Sequence, residues 1–299
     1  MRIRRSLIDL DDLTAEELTH IFERTAEFER TPPGLLLDGV SCVNMFFEES
    51  TRTFTSFNLA ELRLGADVIN LAPKSLSLET KGETIEDTAL TLGAMGISVV
   101  VVRHHEASFP QRVALAFDGH VVNAGDGAHA HPTQALLDIY TLMEEFGDLN
   151  DRTVAIVGDV LHSRVAHSMI RGLQRIGASA VLVGPEAFLP SIYEGDRIKV
   201  ERDFDAVLPH VDAIILLRIQ RERFVEMPIS DAEYVNGYQL DRRRLGLVRK
   251  DAIVMHPGPY NRGMELDDSV LEFAGWRYAQ QVHHGVAVRM AVLDLLVNK

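Results

Sequence analysis

The sequence predicts an α/β protein with two doubly wound domains, each built on a central, mainly parallel sheet flanked by helices. Apolar segments of strand length alternate along the chain with longer segments of helical period, which is the pattern of this fold class. Most of the strand segments are continuously apolar, as expected when helices cover both faces of a parallel sheet. At 299 residues the chain is long enough for two domains of ordinary size, and we expect two.

The predicted strands are short apolar runs, several of them rich in valine and isoleucine. In chain order they are Val43–Phe47, Val68–Leu71, Val99–Val102, Val121–Asn123, Val154–Val157, Ala180–Val183, Ala213–Leu217 and Ile253–Met255. The predicted helices have apolar residues at helical spacing, and they are Thr14–Glu29, Thr51–Leu64, Phe109–Phe117, Pro132–Phe146, Ser163–Ile176 and Gly285–Val297. The first helix begins with Thr14 and Glu17 in the Thr-x-x-Glu pattern of a capping box.

No long polar linker separates the two halves, so the boundary is inferred from the end of the first set of strands. The turn-rich segment NAGDGAHAHP (residues 123–132) lies there, before a predicted helix. A second loop, MHPGPYNR (Met255–Arg262), follows the last predicted strand. Both loops carry histidine next to proline at the carboxyl end of a strand. In open α/β sheets this edge is where ligands bind.

Composition excludes several classes of function. With 44 acidic against 30 basic side chains the formal net charge is −14, so an extended basic face for nucleic acid is not expected. Cys42 is the single cysteine, which rules out an intramolecular disulfide and fits a reducing compartment. The longest strongly apolar run, Ile97–Val102, is far shorter than the roughly 20 residues that span a bilayer. The N-terminus turns acidic where a signal peptide needs apolar residues. We expect a cytoplasmic protein with no membrane contact.

The segment EESTRTFTSF (Glu48–Phe57) follows the first predicted strand. It places hydroxyl groups, backbone amides and the Arg52 guanidinium at the start of a helix, an arrangement that suits a small phosphate. The structural alternative is a Ser or Thr N-cap followed by an exposed arginine, because such caps are common.

Further motifs follow in order along the chain: STRT (50–53), SLSLETKGET (75–84), VVRH (101–104), HPTQ (131–134), HSR (162–164), LLRIQRER (216–223), HPGP (256–259) and VRMAVL (288–293). Together they resemble the catalytic chain of the aspartate carbamoyltransferases, within the aspartate/ornithine carbamoyltransferase superfamily. The resemblance implies a carbamoyl phosphate-binding domain of residues 1–130 with the C-terminal helix 284–299, which returns to it, and an L-aspartate-binding domain of residues 131–283. It also implies a homotrimer with sites shared between subunits. Regulatory chains or a dihydroorotase are further partners that the family allows.

For carbamoyl phosphate, the resemblance assigns the phosphate to the helix start. The implied phosphate ligands are Ser50, Thr51, Arg52 and Thr53. Arg103 would bridge the phosphate and the carbonyl oxygen, and His131 and Gln134 would contact the carbamoyl group. The main chain of the HPGP loop would accept from the carbamoyl nitrogen, through Pro257, Gly258 and Pro259.

For L-aspartate, the resemblance assigns Arg164, Arg218 and Gln220, together with Lys81. Ser77 and Lys81 match the loop lent by a neighbouring subunit. Guanidinium groups suit a dicarboxylate because each can hold a carboxylate through paired hydrogen bonds. Arg218 directly follows an apolar run, so we expect it at the end of a buried strand. Glu48 and Arg223 match positions that clamp the domains around the substrates.

The implied reaction is attack of the aspartate amine on the carbamoyl carbon. Arg52, Thr53, Lys81, Arg103 and His131 are the implied catalytic residues. Arg103, His131 and Thr53 would stabilise the developing oxyanion, and the leaving phosphate would serve as the base. Positioning and charge complementarity carry such a reaction, so no metal or organic cofactor is expected.

Phe54 departs from the family's most familiar form, which reads STRTR where this chain reads STRTF. Because successive helix residues point in different directions, we expect position 54 to stay outside the direct phosphate contacts. We therefore predict an active enzyme. The alternative is a catalytically impaired scaffold subunit that binds a partner enzyme of pyrimidine synthesis.

Ornithine carbamoyltransferases are the nearest enzymatic alternative, because they share the phosphate half. Their ornithine-binding region carries HCLP and SMG motifs, which this chain lacks.

A metal-dependent hydrolase is suggested only by His129-x-His131, whose two imidazoles could share a metal. A dehydrogenase is suggested only by the strand and glycine of Val154–Arg164, which lack the GxGxxG pattern that brings the backbone close to a pyrophosphate.

Overall fold

The computed structural model describes residues 6–72, 82–190, 197–221 and 224–299. The chain divides into two compact units, one formed by Met1–Leu137 with Val282–Lys299 and the other by Asp138–Gln281. Both places where the chain leaves one unit for the other fall inside helices. These are α5 (Pro132–Phe146) and α11 (Tyr278–Asn298).

The first unit contains a parallel four-stranded sheet in the order β2-β1-β3-β4. Its strands are β1 (Ser41–Phe46), β2 (Asp67–Leu71), β3 (Val99–His104) and β4 (His120–Asp126). The helices within this unit are α1 (Ala15–Arg30), α2 (Thr51–Arg63), α3 (Ile85–Ala94) and α4 (Phe109–Ala116). Valines of β1, β3 and β4 pack against Phe109, Val113 and Phe117 to form its core. The predicted capping box of α1 is present, because the Thr14 side chain accepts from the Glu17 amide and the Glu17 side chain accepts from the Thr14 amide.

The second unit contains a parallel five-stranded sheet in the order β7-β6-β5-β8-β9. Its strands are β5 (Thr153–Val157), β6 (Ser179–Val183), β7 (Ile198–Glu201), β8 (Ala213–Leu216) and β9 (Ile253–Met255). The helices within it are α6 (Arg164–Arg175), α7 (Phe204–Val207), α8 (Asp231–Tyr238), α9 (Arg242–Leu245) and α10 (Asp268–Leu271). The buried faces of β5, β6 and β8 form its core with Phe204, Leu240 and Val254.

The predicted fold class is confirmed, including the return of the C-terminal helix to the first unit. Every predicted strand is present, but β7 was missed because its sequence IKVE alternates with charged residues at the sheet edge. The helices α3 and α7 to α10 were also missed. For α3 a signal existed, since Thr84 and Asp87 form a capping box. Within the described residues, no helix combines the length and the apolar character that crossing a bilayer requires.

Each sheet has a point where the strand order reverses, between β1 and β3 in the first unit and between β5 and β8 in the second. Loops that leave neighbouring strands in opposite directions open a crevice at such a point. The segment before α2 follows β1, and Arg103 lies near the end of β3. Arg164 and Arg218 follow β5 and β8. Topology therefore places both sets of predicted arginines at reversal points.

Candidate active site

The start of α2 offers backbone amides to an anion. Ser50 is the N-cap residue, with extended backbone (φ −161°) and no side-chain capping bond. The Phe54 amide donates to the Ser50 carbonyl at 3.1 Å, which is the first bond of the helix. The amides of Thr51, Arg52 and Thr53 precede it and have no carbonyl partner inside the helix. Ser50 is therefore an N-cap residue whose side chain makes no capping hydrogen bond.

Thr53 and His131 meet in the first unit although 78 positions separate them in the sequence. The Thr53 hydroxyl lies 3.5 Å from Nε2 of His131, and both side chains are buried. Gln134 is also buried, one turn further along α5, and its amide donates to the His131 carbonyl at 3.0 Å. The fold thus gathers residues of the STRT and HPTQ motifs, as the resemblance implied.

Arg103 is half-buried near the end of β3 and contacts both Ala124 and Glu48. Its Nη1 donates to the Ala124 carbonyl at 3.1 Å, and its Nε lies 3.4 Å from Oε2 of Glu48. Glu48, expected to clamp the domains, lies beside Arg103 within the same unit. Since β1 and β3 are neighbours with Phe46 paired to Arg103, strand register brings the guanidinium next to the segment that leads into α2.

The loop before His131 is organised by Asp126, which the sequence reasoning missed. This carboxylate is fully buried and accepts from the Ser108 amide at 2.7 Å, Asn123 Nδ2 at 2.8 Å and the Ala130 amide at 3.1 Å. The His129 Nδ1 lies 3.0 Å from it. Burial alone would raise the pKa of Asp126, but the hydrogen bonds from His129 and Asn123 lower it on balance.

His129 and His131, the pair behind the metal alternative, are engaged with different partners. The His129 ring lies between Asp126 and Asp9, whose Oδ2 is 3.7 Å from Nε2. The hydrogen bond to Asp126 raises the pKa of His129 against the effect of burial. His131 instead faces Thr53. The described contacts of the two rings are therefore to different residues.

Phe54 packs edge-on against Phe46 at the end of β1, with ring centroids 5.2 Å apart and planes at 85°. It is half-buried. Its ring therefore anchors the first turn of α2 to the strand before it. This is a packing role. Because the phenyl ring has no hydrogen-bond donor or acceptor, it does not compete for the amides and hydroxyl groups of Ser50–Thr53.

In the second unit, Asp159 joins the loops that follow β5 and β8. It is fully buried, and its Oδ1 accepts from the His162 amide at 3.2 Å while its Oδ2 accepts from the Gln220 amide at 3.4 Å. The residue before it, Gly158, has φ +123°, and a Cβ there would lie 2.8 Å from the Leu217 carbonyl oxygen. Glycine lets the two loops approach closely, and Asp159 then bonds them.

Arg164 and Arg218 lie on these two loops. Arg164 begins α6, after the N-cap Ser163, whose hydroxyl accepts from the Ala166 amide at 3.2 Å. Arg218 follows buried β8 as expected; its Nη2 donates to Gln220 Oε1 at 3.3 Å. Because β5 and β8 are hydrogen-bonded parallel neighbours, Arg164 and Arg218 lie on loops that begin at the same edge of one sheet.

The HPGP loop is ordered by His256, which is buried at the end of β9. The Gly258 amide donates to its Nδ1 at 2.8 Å, so the ring proton belongs on Nε2, which lies 3.2 Å from Oε1 of buried Glu265. Glu265 also accepts from the Asn261 amide at 2.6 Å. Gly258 has φ +68°, and the Gly258–Pro259 bond is cis. The imidazole and carboxylate together fix the main chain of Pro257, Gly258 and Pro259.

Three predicted site residues, Ser77, Lys81 and Arg223, lie outside the described residues. The organising acids Asp126 and Asp159 were absent from the predicted site. A signal for both was present, because each follows a glycine at the end of an apolar strand, in VNAGD and IVGD.

Known proteins match this chain over nearly its whole length. The family model described as aspartate/ornithine carbamoyltransferase, carbamoyl-P binding domain, matches residues 5–144, and the Asp/Orn binding domain of the same family matches residues 150–296. The aspartate carbamoyltransferase catalytic subunit of Acidothermus cellulolyticus is 47% identical, covering 98% of this chain and 93% of that relative. That of Bradyrhizobium diazoefficiens is 46% identical, with 98% and 95% covered.

Solved structures agree. Aspartate transcarbamoylase from Trypanosoma cruzi in complex with N-(phosphonacetyl)-L-aspartic acid has a TM-score of 0.89 at 30% identity, covering 97% of this chain and 95% of that one. The catalytic subunit of M. jannaschii aspartate transcarbamoylase has a TM-score of 0.87 at 30% identity, with 98% of both chains covered. The chain therefore belongs to the aspartate/ornithine carbamoyltransferase family, among the aspartate carbamoyltransferase catalytic chains.

Proposed function

We propose that this chain transfers the carbamoyl group of carbamoyl phosphate to the amino group of L-aspartate, giving N-carbamoyl-L-aspartate and phosphate, an early step of pyrimidine biosynthesis. The observation that carries the proposal is the meeting of Thr53 and His131 at the amide-rich start of α2. Hydrogen-bond donors for an anion lie there, together with the Thr53 and His131 side chains, which we propose reach the carbonyl oxygen. The relatives from Acidothermus cellulolyticus and Bradyrhizobium diazoefficiens are named for this activity.

The first unit supplies the chemistry for carbamoyl phosphate. The Ser50–Thr53 amides and hydroxyl groups, with Arg52, hold the phosphate, because helix N-termini and guanidinium groups both favour an anion. Arg103, His131 and Thr53 donate towards the carbonyl oxygen, where negative charge grows as the amine attacks. Donors fixed before the reaction lower its barrier most. The departing phosphate takes the amine proton. We retain Gln134 and the HPGP main chain as contacts of the carbamoyl group.

The second unit supplies Arg164, Arg218 and Gln220 for L-aspartate, with Lys81 as a further cation. Aspartate has two carboxylates, and the guanidinium groups of Arg164 and Arg218 match that demand. Asp159 keeps their loops together through its bonds to both. We propose residues 1–130 with 284–299 as the carbamoyl phosphate domain and 131–283 as the aspartate domain, although the first compact unit also includes His131 and Gln134. Glu48 and Arg223 remain proposed clamp residues.

We propose a homotrimer in which Ser77 and Lys81 complete the site of a neighbouring copy. The edge strand β2 supports this, because it is largely uncovered and its Ile69 is 44% exposed. Leu59 and Leu62 on the adjacent helix α2 are also exposed, Leu62 to 60%. An uncovered sheet edge beside exposed leucines favours burial by another chain. Further association with regulatory chains or a dihydroorotase stays a prediction.

A cytoplasmic location is proposed on the state of Cys42. This residue is free and fully buried. A single reduced cysteine inside the core fits a compartment that keeps thiols reduced. Localisation of a tagged chain by cell fractionation tests this, and recovery of the chain in a membrane or secreted fraction would contradict it.

A substrate assay tests the proposed reaction. Purified protein is given carbamoyl phosphate with aspartate, with ornithine, or with both together, and the products are separated. We expect carbamoyl-aspartate wherever aspartate is present, and no citrulline. Citrulline as the main product would instead support the ornithine alternative, and the absence of both products would support the scaffold alternative.

A further inference from the structure

Glu61, on the inner side of α2, has a carboxyl group that is fully buried in the first unit. Its Oε2 accepts from Nδ2 of Asn44, on β1, at 2.7 Å. Both side chains have 0% exposure. The pair joins the helix that begins at the proposed phosphate site to the strand that leads into that site. A buried glutamate with a single amide partner is unusual, since buried carboxylates are ordinarily paired with cations or several donors.

The two remaining oxygens of this pair lack donors. Among the described residues, neither Asn44 Oδ1 nor Glu61 Oε1 accepts a hydrogen bond, although both atoms are buried. With Glu61 ionised, both oxygens are acceptors and neither can satisfy the other. A proton on Oε1 would let both be satisfied, with the acid O–H donating to Oδ1 while Nδ2 continues to donate to Oε2. The pair would then be a closed acid–amide pair with two hydrogen bonds.

The charged surroundings favour the neutral form. Within the described part of the chain, no cation forms an ion pair with Glu61. The Cys42 thiol of β1 and the Asp67 carboxylate of β2 carry no positive charge. On β3, which pairs with β1, His104 and Arg103 are the titratable groups, and Arg103 forms its ion pair with Glu48. The buried guanidinium of Arg289, on α11, lies over the Phe57 ring at 4.9 Å. Burial raises the pKa of Glu61 to about 7, while the hydrogen bond from Asn44 works in the opposite direction.

We infer that Glu61 is held as a neutral acid in the folded protein, and that its closed pair with Asn44 is a positioning element that seats α2 on β1. The position of α2 on β1 matters for the proposed site, because Thr51–Thr53 lie at one end of α2 and Glu48 follows β1 beside Arg103. Ionisation of Glu61 leaves an uncompensated charge and two unpaired acceptors at the contact. The helix start then loses a fixed relation to Arg103. The protonation stands on geometry alone, whereas its effect on substrate rests on the proposed function.

Infrared spectroscopy tests the protonation directly. At pH 6 an ordinary glutamate is ionised, so we expect wild-type protein to show the C=O stretch of a protonated carboxyl group that Glu61→Gln lacks. Glu23→Gln, at an exposed position on α1, is the matched control and should leave the band unchanged. In wild-type protein alone, the band should weaken as the pH rises from 6 to 8.5. An unchanged spectrum in Glu61→Gln would overturn the inference.

The pH dependence of folding supplies a second readout. Because the folded pKa is raised, the stabilisation is complete well below pH 4 and is lost as the pH rises through about 7. Glutamine keeps both hydrogen bonds without titrating. The folding equilibrium constant of Glu61→Gln relative to wild type should therefore grow between the unfolded pKa of a glutamate, about 4.3, and pH 7, by up to about tenfold per pH unit for one proton, and level off above pH 7. Parallel pH curves for the two proteins would contradict a protonated Glu61.

The positioning role is tested by measuring the KM for carbamoyl phosphate of wild type and of Glu61→Gln over a range of pH. At each pH the wild-type KM is divided by the KM of Glu61→Gln, because this ratio cancels the effect of titrating the substrate. We expect this ratio to rise above pH 7 while the kcat ratio changes less. A flat KM ratio, with the infrared band lost as expected, would overturn the positioning role. Neither the infrared nor the folding measurement requires turnover, so failure of the proposed reaction is distinguishable from failure of this inference.

Discussion

Asp159 and Gln220 are joined by a hydrogen bond of 3.4 Å from the Gln220 amide to the fully buried Asp159 carboxylate. This bond ties the loop after β8 to the loop after β5, and the two loops carry Arg218 and Arg164. The carboxylate therefore holds in register two cations that are far apart in the sequence. We therefore expect Asp159 to affect aspartate binding without contacting the substrate itself.

Replacing Asp159 with asparagine should weaken aspartate use selectively. A hydrogen bond to a charged group contributes about 1.5–3 kcal/mol, so we expect kcat/KM for aspartate to fall roughly 10-fold to 100-fold. The KM for carbamoyl phosphate should change little, since its proposed ligands lie mainly in the first unit. Asp151→Asn, at an exposed position, is the control. Equal losses for both substrates would argue against a role confined to these loops.

Glu265 should influence carbamoyl phosphate through His256. In Glu265→Gln the buried carboxylate that accepts from the imidazole and from the Asn261 amide becomes neutral, and the fixed tautomer is weakened. We expect kcat/KM for carbamoyl phosphate to fall about tenfold, in line with one charge-assisted hydrogen bond. Nitrogen NMR of His256 should show the Nε2-protonated form in wild-type protein. Glu272→Gln, at an exposed position, should behave like wild type; a matching loss there would contradict the assignment.

The contact between Asp126 and His129 should make stability depend on pH. The pKa of His129 is raised, so its stabilisation is present below its unfolded value near 6.5 and is lost as the pH rises through the folded value. The Tm difference between wild type and His129→Gln should thus shrink from pH 6 to 8.5. Because the ring is partly exposed, we expect no more than about 1 kcal/mol, or roughly 2–4 °C. A constant difference would exclude a charged His129.

Restoring arginine at position 54 should affect turnover only modestly. Phe54→Arg removes the edge contact with Phe46, and such aromatic pairs contribute about 0.5–1.5 kcal/mol beyond their burial. We therefore expect a lower Tm with kcat within about threefold of wild type. A much larger gain in kcat would show that Phe54 limits the natural chain and would favour an impaired enzyme.

The strands and the first turns of the main helices were predictable because local signals specify them. Continuous apolar runs mark β3 and β5, a mostly apolar run marks β1, and the capping pair at Thr14 marks α1. The edge strand β7 was not predictable in this way, since its alternating charges are typical of a solvated loop. Buried acids posed a different problem. Asp126, Asp159 and Glu61 look like surface residues in a sequence, because the partners that make their burial tolerable are brought close only by the fold.

The predicted arginines show the same difference between what local sequence patterns specify and what only the fold specifies. Arg52 and Arg103 were predictable from motifs that follow strands, and the fold places them at one reversal of strand order. The contact of Arg103 with Glu48 depends on the register of β1 against β3, which no local pattern encodes. Motif matches therefore identified most of the proposed site residues, whereas the interactions that orient them required the structure.

The most direct measurement is the initial rate of carbamoyl-aspartate formation by wild-type protein, Arg52→Ala and Arg30→Ala, compared at equal concentration. Arg52 lies at the proposed phosphate site, whereas Arg30 is exposed at the end of α1 and donates to the Ala26 carbonyl. We expect wild type and Arg30→Ala to be equally active and Arg52→Ala to lose about 100-fold or more, as for removal of one preorganised donor. An undiminished rate in Arg52→Ala, or no product from wild-type protein with both substrates, would contradict carbamoyl transfer at the start of α2.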